Sequence, residues 1–393
     1  MEYIKLSEAA DIITGFPFKS EKFNINGDGI KLVRGKNIGK GFLHWGEDAR
    51  YWNEEFSEIE KYSLKLDDII IGMDGSNVGK NFAVVTKKDL PSLLVQRVAR
   101  VRAKQGFDQN YLKYCIINNK FTNYVNDVKT GSAIPHISGT QINNYMIPKY
   151  DYYMQRKIGK VIDSITKKIE ANNEINNNLH ELNNNMYVEF LSQLDNSNSS
   201  NKQIKEVSKC VLGGTPSRAK SEYWNGNVNW INSGEVNKFR IIDASEKITD
   251  LGLQKSSTVL LPKETTVLAI TGATLGQVSR LEIDSCANQS VIGIIPNNNE
   301  MNNYIYLSIL NTINDLKLKQ TGGAQQHINK NDVETHEIVI PNDKLLKEFD
   351  ERVTPIFSKI SLTCFENKKL EELRDVLLPK LMNGEIDLDN IEI

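Results

Sequence analysis

The sequence lacks the features that mark membrane proteins and disulfide-linked secreted proteins. Its 393 residues contain no run of eighteen or more apolar residues, so no transmembrane helix is predicted. The amino terminus has neither the basic start nor the apolar stretch of a signal peptide. The four cysteines are widely spaced and form no Cys-x-x-Cys pair, which predicts neither a zinc site nor a disulfide framework. These absences favour a location in the reducing cytoplasm.

An excess of positive charge is also missing. The 48 Lys and Arg residues are balanced by 50 Asp and Glu residues, which gives a net charge of −2. A strongly basic domain is the usual sign of a nucleic-acid partner. Near-neutrality does not exclude DNA, because acidic surface elsewhere can offset a basic face and a partner subunit can supply positive charge. The length of the chain favours two domains.

Recognisable catalytic motifs are missing as well. The segment Gly72–Lys80 resembles a P-loop, but its glycine spacing is wrong and Asn81 stands where Ser or Thr is required. Neither the glycine-rich cofactor loop nor the Asn/Asp-Pro-Pro-Tyr/Phe tetrapeptide of a methyltransferase is present. Two Asp-x-Lys triplets, at Asp127 and Asp315, lack the preceding Pro-Asp of a nuclease and lie in predicted helices. The five histidines show no metal-ligand spacing, so we predict no catalytic residue and no metal site.

What the sequence does contain is an internal repeat. Thr130–Ile137 reads TGSAIPHI and Thr321–Ile328 reads TGGAQQHI, and each is followed by Ile-Pro. Other short matches occur in the same order along the chain, at offsets of 191 to 199 residues. Each copy begins with short β-branched runs bounded by Gly, Asn, Asp or Pro, which are typical of strands. Because a collinear set of matches rarely arises by chance, the sequence predicts a duplicated module.

Each copy of the module ends in a predicted long helix. Apolar residues recur every three or four positions from Tyr153 to Leu194 and again from Val353 to Leu377. The first of these helices would be about 60 Å long. Between the first helix and the second module, Asp195–Asn201 is rich in Asn and Ser and is typical of a flexible linker.

We therefore predict an α+β protein with two similar β-rich domains separated by two long antiparallel coiled-coil helices, related by a pseudo-two-fold internal repeat. The predicted boundaries are 1–150 for the first domain, 151–195 for the first helix, 196–204 for the linker, 205–341 for the second domain, 342–382 for the second helix and 383–393 for a tail. The predicted interface of the helix pair consists of Ile158, Ile162, Ile165, Ile169, Asn172, Leu179, Leu182, Phe357, Ile360, Asn367, Leu370 and Leu377.

Asn172 and Asn367 occupy equivalent positions in the two apolar seams. A polar Asn at a core position lowers stability but fixes the register of a helix pair. A local break in the seam or an exposed turn explains these two residues equally well.

The polar, glycine-containing loops of the two copies are the candidate binding surface. Lys and Arg hold phosphates, and Asn, Gln, Ser and Arg read base edges. The loops differ between the copies, as two related specificities on one scaffold require. The candidate nucleic-acid contacts are Lys19, Ser20, Arg34, Lys36, Asn37, Ser76, Asn77, Lys80 and His136 in the first copy, and Thr215, Ser217, Arg218, Ser233, Glu235, Thr271, Thr274, Gln277, Gln325, Gln326 and His327 in the second. Each is equally consistent with ordinary surface, and a buried structural role is the alternative for the two histidines.

Three segments resemble a known family, the specificity (S) subunits of type I restriction–modification systems. GGTPSR at Gly213–Arg218 and YWNGNVNWINSGE at Tyr223–Glu235 resemble the opening of that family's target recognition domains. LEELRDVLLPKLMNGEI at Leu370–Ile386 resembles its C-terminal signature. The first copy departs from the opening pattern, because Gly15–Ser20 reads GFPFKS.

The resemblance implies a function that the residues alone do not name. Each globular domain would read one half of a split site on double-stranded DNA, and the helix pair would set the gap between the halves and dock methylase subunits. The chain itself would be non-catalytic and hold no cofactor. Two methylase (modification) subunits would supply S-adenosylmethionine, and two restriction (helicase–nuclease) subunits would use ATP and Mg. No membrane partner is implied.

Two other functions are consistent with parts of the sequence. The chain would be a scaffold for proteins other than DNA-binding enzymes if its loops bound no nucleic acid, or a free-standing enzyme if the isolated chain showed turnover. Within the repeated phrase, Ile134-Pro135 differs from Gln325-Gln326, and we predict that this difference lies in a loop that faces DNA.

Overall fold

Each copy of the repeat belongs to its own unit of the structure. The computed structural model describes residues 2–55, 57–131, 133–318, 327–386 and 388. Unit 1 comprises the described residues up to Lys168 and from Glu371 onward, and unit 2 comprises the described residues from Ile169 to Leu370. Each unit therefore contains one copy of the repeat and part of both long helices.

Unit 1 contains three antiparallel or mixed sheets and a set of short helices. Its strands are β1 (Tyr3–Lys5), β2 (Ala10–Thr14), β3 (Ile30–Val33), β4 (Lys40–Gly41), β5 (Tyr51–Trp52), β6 (Ile69–Gly72), β7 (Phe82–Val84), β8 (Ser92–Leu94), β9 (Val98–Ala103) and β10 (Met146–Pro148). Its helices are α1 (Leu6–Ala9), α2 (Ile59–Tyr62), α3 (Gln109–Ile116), α4 (Asn119–Val128), α5 (Gly139–Asn143) and the start of α6 (Tyr152–Ser192). Single 3-10 turns occupy Ser20–Lys22, Gly35–Asn37 and Lys87–Asp89.

Unit 2 is built from corresponding elements. Its strands are β11 (Ser199–Gln203), β12 (Ser208–Leu212), β13 (Trp224–Ile231), β14 (Glu246–Ile248), β15 (Thr266–Ala269), β16 (Val278–Arg280), β17 (Cys286–Ala287), β18 (Val291–Pro296) and β19 (Glu337–Pro341). Its helices are α7 (Ile204–Val207), α8 (Asp250–Gln254), α9 (Asn302–Leu318), α10 (Lys330–Glu334) and most of α11 (Asp343–Met382). Its 3-10 turns occupy Ser221–Tyr223, Ser233–Asn237, Gly272–Thr274 and Asn299–Met301.

The two units share most of their sheet topology, which confirms the predicted duplication, although β4 of unit 1 has no counterpart among the described strands of unit 2. In unit 1 the strand orders are β2-β9-β6-β7-β4, β5-β3-β8 and β1-β10. In unit 2 they are β12-β18-β15-β16, β14-β13-β17 and β11-β19. In both units the second of these sheets contains a parallel pair, β3 with β8 and β13 with β17. A parallel pair needs a long crossover connection, so its presence in both copies shows that the chain path was duplicated with the strands.

The main core of each unit lies where the larger sheet meets helices. In unit 1 the fully buried side chains of Tyr111 and Phe121, from α3 and α4, pack among strand residues and Ile158 and Ile162 of α6. In unit 2 the fully buried Tyr304 of α9 packs in the equivalent cluster. Burying aromatic residues of this size is a large favourable term in folding. The long helices are therefore part of each unit's core.

The helices α6 and α11 lie where the apolar spacing predicts them, and they run antiparallel. In unit 2, Asn172 of α6 contacts Asn367 of α11, whereas Asn176 contacts Cys364, so the partner number falls as the residue number rises. In unit 1, Ile162 of α6 shares a core cluster with α11 residues that include Leu378. None of the described helices is long and apolar enough to cross a membrane.

The seam of the helix pair is less apolar in unit 2 than the sequence predicts. Leu182 is 46 % exposed, whereas Asn176 and Asn183 are only 3 % and 0 % exposed. The predicted interface residues Ile165, Leu179, Leu370 and Leu377 are half-buried, and Ile158, Ile162, Ile169, Asn172, Phe357, Ile360 and Asn367 are buried. This corrects the assignment of Leu182 to the interface. Apolar spacing fits more than one row of this helix, and the buried row follows Ile169 through Asn residues instead.

Part of the segment predicted to be a flexible linker is ordered. Ser199–Gln203 forms β11, which pairs antiparallel with β19 from Ser199 opposite Pro341 to Gln203 opposite Glu337. The preceding turn is held by Asp195, whose side chain accepts a hydrogen bond from the Ser197 amide at 2.8 Å. Asn and Ser favour turns, but here strand pairing satisfies the backbone groups that follow. The linker prediction for 196–204 is therefore wrong for its second half.

Candidate nucleic-acid interface

The same backbone hydrogen bonds position the candidate loops in both units. In unit 1 the amide of Ile137, in the repeated phrase, donates to the carbonyl of Met73 at 2.9 Å, and in unit 2 Ile328 donates to Ile270 at 3.0 Å. The amide of Met73 donates in turn to the carbonyl of Arg97 at 3.0 Å. Its counterpart Ile270 donates to Ser290 at 2.9 Å. The repeated phrase is thus fixed beside the end of β6 or β15 and the turn before β9 or β18.

A close backbone approach explains a glycine that both copies share. A Cβ at Gly15 would lie 2.1 Å from the carbonyl oxygen of Val95, and one at Gly213 would lie 2.1 Å from that of Asn288. The amide of Gly15 donates to Val98 and that of Gly213 donates to Val291, which is the equivalent residue. The structural counterpart of Gly15 is therefore Gly213. The sequence pattern alone favours Gly214, because Gly15-Phe16-Pro17 resembles Gly214-Thr215-Pro216.

A cleft of about 670 Å³ opens beside these loops in unit 1. Its walls come from the end of β2, the segment after β6, the turn before β9 and the repeated phrase, and they include Asp74, Gln96, Arg97, Ile134 and His136. The cleft therefore collects side chains from four separate parts of the chain. Such convergence of a few polar groups on a concave surface is typical of a ligand site.

The carboxylate of Asp74 contacts two other polar side chains of this cleft. Oδ2 of Asp74 accepts a hydrogen bond from Nη1 of Arg97 at 2.8 Å. The other oxygen of Asp74 is hydrogen-bonded to Nδ1 of His136. The side chain of Asp74 is 19 % exposed, whereas that of Arg97 is 67 % exposed. The carboxylate is thus set back in the wall, and the guanidinium stands at the surface.

The sequence interpretation included His136 but missed Asp74 and Arg97. A usable signal was present, because Gln96-x-Val98 matches Gln289-x-Val291 and the residue between them changes from Arg to Ser. A variable position inside a matched frame is where a shared scaffold changes its ligand contacts.

The other candidates of unit 1 divide into exposed and structural residues. The exposed ones are Lys19, Ser20, Lys36, Ser76, Asn77 and Lys80. Arg34 is half-buried and donates to the carbonyl of Asp48. Burial, followed by the nearby positive charge of Arg50, lowers the pKa of Arg34. Arg34 is thus held partly inside the loop.

Asn37 has a structural role, which corrects its assignment as a nucleic-acid contact. Its side chain is fully buried. The amide nitrogen donates to the carbonyl of His44 at 3.1 Å, and the amide oxygen accepts from the backbone of Arg34 at 3.2 Å. A side chain whose polar atoms are satisfied inside the protein has nothing left to offer a ligand.

At the positions of unit 2 that correspond to the cleft of unit 1, Thr271 and Ser290 replace Asp74 and Arg97. Thr215 donates its hydroxyl to Oε1 of Gln289 at 2.6 Å. Thr271 and the exposed His327 form the backbone bridge that Asp74 and His136 form in unit 1. The hydroxyl of Thr274 donates to the carbonyl of Thr271 at 3.4 Å. Among the remaining candidates, Ser217 and Gln277 are exposed and Ser233 is half-buried.

Two charged candidates of unit 2 contact other side chains of the unit; Arg218 is exposed and Glu235 is buried. Arg218 lies over the ring of Trp224, with its guanidinium carbon 3.6 Å from the ring centroid, and pairs with Glu246 at 2.7 Å. Glu235 is only 7 % exposed and accepts hydrogen bonds from the amide and hydroxyl of Ser245, both at 3.0 Å. The structure therefore corrects the assignment of Glu235, which holds its own loop together. Gln325 and Gln326 lie outside the described residues.

No metal-binding cluster stands out in the part of the chain that the structure describes. Within those residues, no three His, Cys, Asp or Glu side chains are grouped so that they could hold a metal ion. In the cleft, His136 contacts one carboxylate, that of Asp74, and these two residues alone do not make up such a group.

Taken together, the fold and the loops define a class of protein: a duplicated binding module, in which one backbone scaffold presents two different sets of loop side chains. The chain belongs to the type I restriction modification DNA specificity family, whose domain model matches residues 1–181 and 187–374. This family membership confirms the resemblance seen in the sequence.

Curated relatives and a solved structure agree with this family. The chain is 29% identical over 189 residues to the type I restriction enzyme HindI specificity subunit of Haemophilus influenzae, covering 47% of this chain and 41% of that one. It is 30% identical over 168 residues to the EcoAI specificity subunit of Escherichia coli, covering 42% of this chain and 28% of that one. The chain thus spans under half the length of these two relatives. It is 23% identical over 309 residues to the MjaIX specificity subunit of Methanocaldococcus jannaschii, covering 73% and 71% of the two chains.

Similarity of fold extends over nearly the whole chain. The crystal structure of a type I restriction–modification S subunit from M. genitalium matches with a TM-score of 0.61 at 15% identity. The match covers 97% of this chain and 95% of that chain. The fold is therefore that of an S subunit, although few side chains are shared.

Proposed function

We propose that this chain is the DNA-reading subunit of a type I restriction–modification complex. Each target recognition domain reads one half of a bipartite site on double-stranded DNA. The observation that carries the proposal is the pairing of one scaffold with two sets of side chains: equivalent backbone hydrogen bonds fix residues 97 and 290, which are Arg and Ser. Two domains that read different half-sites need the same backbone arrangement but different side chains at the positions that contact DNA.

The near-neutral charge of the chain does not oppose this proposal, because some exposed cations of unit 1 lie close in sequence to the cleft loops. Lys19 follows the wall segment that includes Pro17, and Lys80 follows the segment after β6 that includes Asp74. Cations placed there can hold phosphates on either side of a groove while other residues read base edges. Partner subunits would supply the remaining positive surface.

The long helices carry exposed apolar side chains that suit a docking role. In unit 2, Ile175, Leu182 and Leu362 are 42 %, 46 % and 67 % exposed. In unit 1, Leu373 and Val376 are 46 % and 54 % exposed. Apolar side chains left in water along a helix are favourable places for a partner to bury. We propose that two methylase subunits dock here and that the helices set the gap between the half-sites.

The chemistry would belong to the partners. The chain would contribute recognition alone, the methylase subunits would bind S-adenosylmethionine, and two restriction subunits would use ATP and Mg. The domain boundaries stay as predicted, at 1–150 and 205–341 for the two target recognition domains, except that β11 is grouped with the second.

The decisive experiment is methylome sequencing of a host that carries the complete system. A bipartite adenine-methylated motif is expected. Exchanging residues 1–150 for the corresponding domain of another family member should change one half of the motif, and exchanging residues 205–341 should change the other. A change in both halves from either exchange would contradict the domain assignment.

Binding by the purified complex provides an independent check. Affinity for the methylated motif should fall steeply as salt rises, because phosphate contacts release counterions. If the complex showed no salt-sensitive and sequence-dependent binding, the chain would instead be a scaffold for other proteins. Turnover by the chain without partners would favour an enzyme.

A further inference from the structure

Arg97 has an unusual backbone conformation that its surroundings maintain. Four of the non-glycine residues that the structure describes have positive φ: Asp67, Arg97, Asn225 and Glu264. Asp67 and Glu264 occupy the same turn of the two units, since their amides donate to the equivalent residues Val85 and Leu281, so they belong to the scaffold.

The conformation of Arg97 is particular to unit 1. Its φ is +67°, and its counterpart Ser290 is not among the four residues. A bulky residue in this region is strained and persists only where the surrounding structure determines it. Here the carbonyl of Arg97 accepts from the amide of Met73 at 3.0 Å, and its guanidinium is held by Asp74.

The geometry leaves most of the guanidinium available. Of the five N–H donors that an arginine side chain carries, one, on Nη1, is engaged with Asp74 within the described chain. The side chain is 67 % exposed and stands in the wall of the cleft next to Gln96. The ion pair restrains one end of the guanidinium, and the exposure of the side chain leaves its other donors accessible. That is how a pre-oriented bidentate donor is built.

We propose that Arg97 is a specificity-determining residue of the first domain and donates two hydrogen bonds to O6 and N7 of a guanine in the major groove. Asp74 is the residue that positions it. This inference rests on the proposed DNA-reading function. The second domain carries Ser290 at the equivalent place, so the same demand for guanine is absent from the other half-site.

The neighbouring carboxylate favours a base edge over a phosphate as the target. Asp74 lies 2.8 Å from Nη1 of Arg97 and is partly exposed, so its negative charge opposes a phosphate at this place. A guanine edge is neutral and offers two acceptors at the spacing of the guanidinium fork. A phosphate contact needs positive charge but no fixed plane, so Lys would serve it equally well.

The test compares R97K with the wild type in the complete complex, by methylome sequencing and by binding to DNA substituted at each position of the motif. Wild type should require guanine at one position of the first half. R97K should lower discrimination at that position by roughly 10- to 100-fold, because Lys lacks the planar fork. The second half should be unchanged. Lys65→Ala, which removes an exposed cation of the same unit away from the cleft walls, is the matched control and should leave the motif intact.

The positioning role of Asp74 needs its own variants. D74N should reduce discrimination at the same position by about 3- to 10-fold, because Arg97 loses its fixed orientation, while the melting temperature and the second half stay as in wild type. D74E restores a carboxylate and should recover part of the discrimination. A purely structural role would move the melting temperature and leave the base preference at this position alone.

The two proposals fail in different ways. If R97K retained the full guanine requirement of a bipartite motif, or if no position of the first half responded, the assignment of Arg97 would be overturned while the proposed function stood. If the complex modified no bipartite site, the proposed function would be overturned and this inference with it.

Discussion

Units 1 and 2 share strand pairings and backbone hydrogen bonds but differ in the side chains at the cleft loops and at the helix seam. At the cleft, unit 1 places the Asp74–Arg97 ion pair beside His136, whereas unit 2 has Thr271, Ser290 and His327 at the corresponding positions. At the seam, unit 1 buries Ile158 and Ile162, whereas unit 2 buries several asparagines. The hydrogen bonds that define the scaffold tolerate both sets. The side chains therefore differ at places where ligands and partner helices would be met, while these backbone hydrogen bonds are kept.

The largest effect is expected where the two units are alike. Gly15→Ala and Gly213→Ala each place a Cβ 2.1 Å from a backbone carbonyl oxygen that cannot move aside as a side chain would. Each should lower the free energy of unfolding by about 3–4 kcal/mol. Thermal unfolding of the purified chain measures this effect. Equal losses would support the equivalence of the two glycines.

The control for this pair is Gly35→Ala. No heavy atom lies within 4 Å of a Cβ built at Gly35. The stability change should therefore be within about 0.5 kcal/mol. A large loss at Gly213 with none at Gly15 would show that the first copy has a different frame at this point.

The next largest effects are expected from substitutions that place a polar residue in the apolar seam of unit 1 or an apolar residue in the polar seam of unit 2. Ile162 is fully buried in the apolar cluster of unit 1, so Ile162→Asn should cost roughly 3 kcal/mol through lost burial and an unsatisfied amide. Asn183 of unit 2 is fully buried, and both polar atoms of its amide lack a partner among the described residues. Asn183→Leu should therefore raise the stability by about 1 kcal/mol.

Chemical denaturation of the two variants beside the wild type decides this prediction. A destabilised Asn183→Leu would mean that the amide serves a packing or hydration role that an apolar group cannot replace. Asn172→Leu provides a contrast, because Asn172 donates to Asn367 at 2.8 Å and to Glu366 at 2.9 Å. Its removal should destabilise.

Most of the frame was predictable from the sequence, and the reasons are local. The strands Thr266–Ala269 and Val291–Pro296, for example, are rich in β-branched residues and lie near turn residues, which is the pattern that predicted short strands in each copy. The two long helices followed from apolar spacing. The buried row of α6 did not, because Leu182 and Asn183 are adjacent and only tertiary packing decides which of them faces inward.

The candidate site was predicted less well than the frame. Residue type marks Asn37 and Glu235 as possible contacts, but their hydrogen bonds to nearby backbone are visible only once the loops are folded. Arg97 was missed because its significance comes from Asp74, which is 23 residues away in the sequence. Contacts of this kind depend on where loops converge, and no short motif encodes that.

A smaller effect on stability is expected from pH, through His180 in the part of α6 that belongs to unit 2. Burial, followed by the positive charge of Arg240, lowers the pKa of His180 from 6.5 to about 4. Between these values the unfolded chain binds more protons than the folded one, so stability is lost as the pH falls from about 6.5 towards 4. After allowance for the partial exposure of the ring, the loss attributable to this group is about 1 kcal/mol.

Unfolding measured from pH 7 to pH 4 checks this, with His180→Gln as the test variant. The variant should lose less stability than the wild type over the window. His44→Gln removes an exposed histidine of unit 1 and is the matched control. A pH profile of His180→Gln that overlaid the wild type would mean that other groups account for the slope.

The smallest effect is expected in unit 2, at the positions that correspond to the cleft of unit 1. The hydroxyl of Thr215 donates to Oε1 of Gln289 at 2.6 Å, which fixes the amide of Gln289 in one orientation. Gln is suited to read adenine through its amide.

Thr215→Val should release the amide of Gln289 and weaken binding of the complete complex to its site by about 3-fold. Only discrimination at the second half-site should be reduced. Binding to DNA substituted in either half measures this loss, and Ser221→Ala, at an exposed residue of the same unit that is not a candidate contact, is the control. Unit 1 has no counterpart of this contact to lose, because Pro17, which has no hydroxyl, occupies the position that corresponds to Thr215 once Gly15 is matched to Gly213. An equal loss in both halves would therefore show that Thr215 acts on the fold and not on recognition.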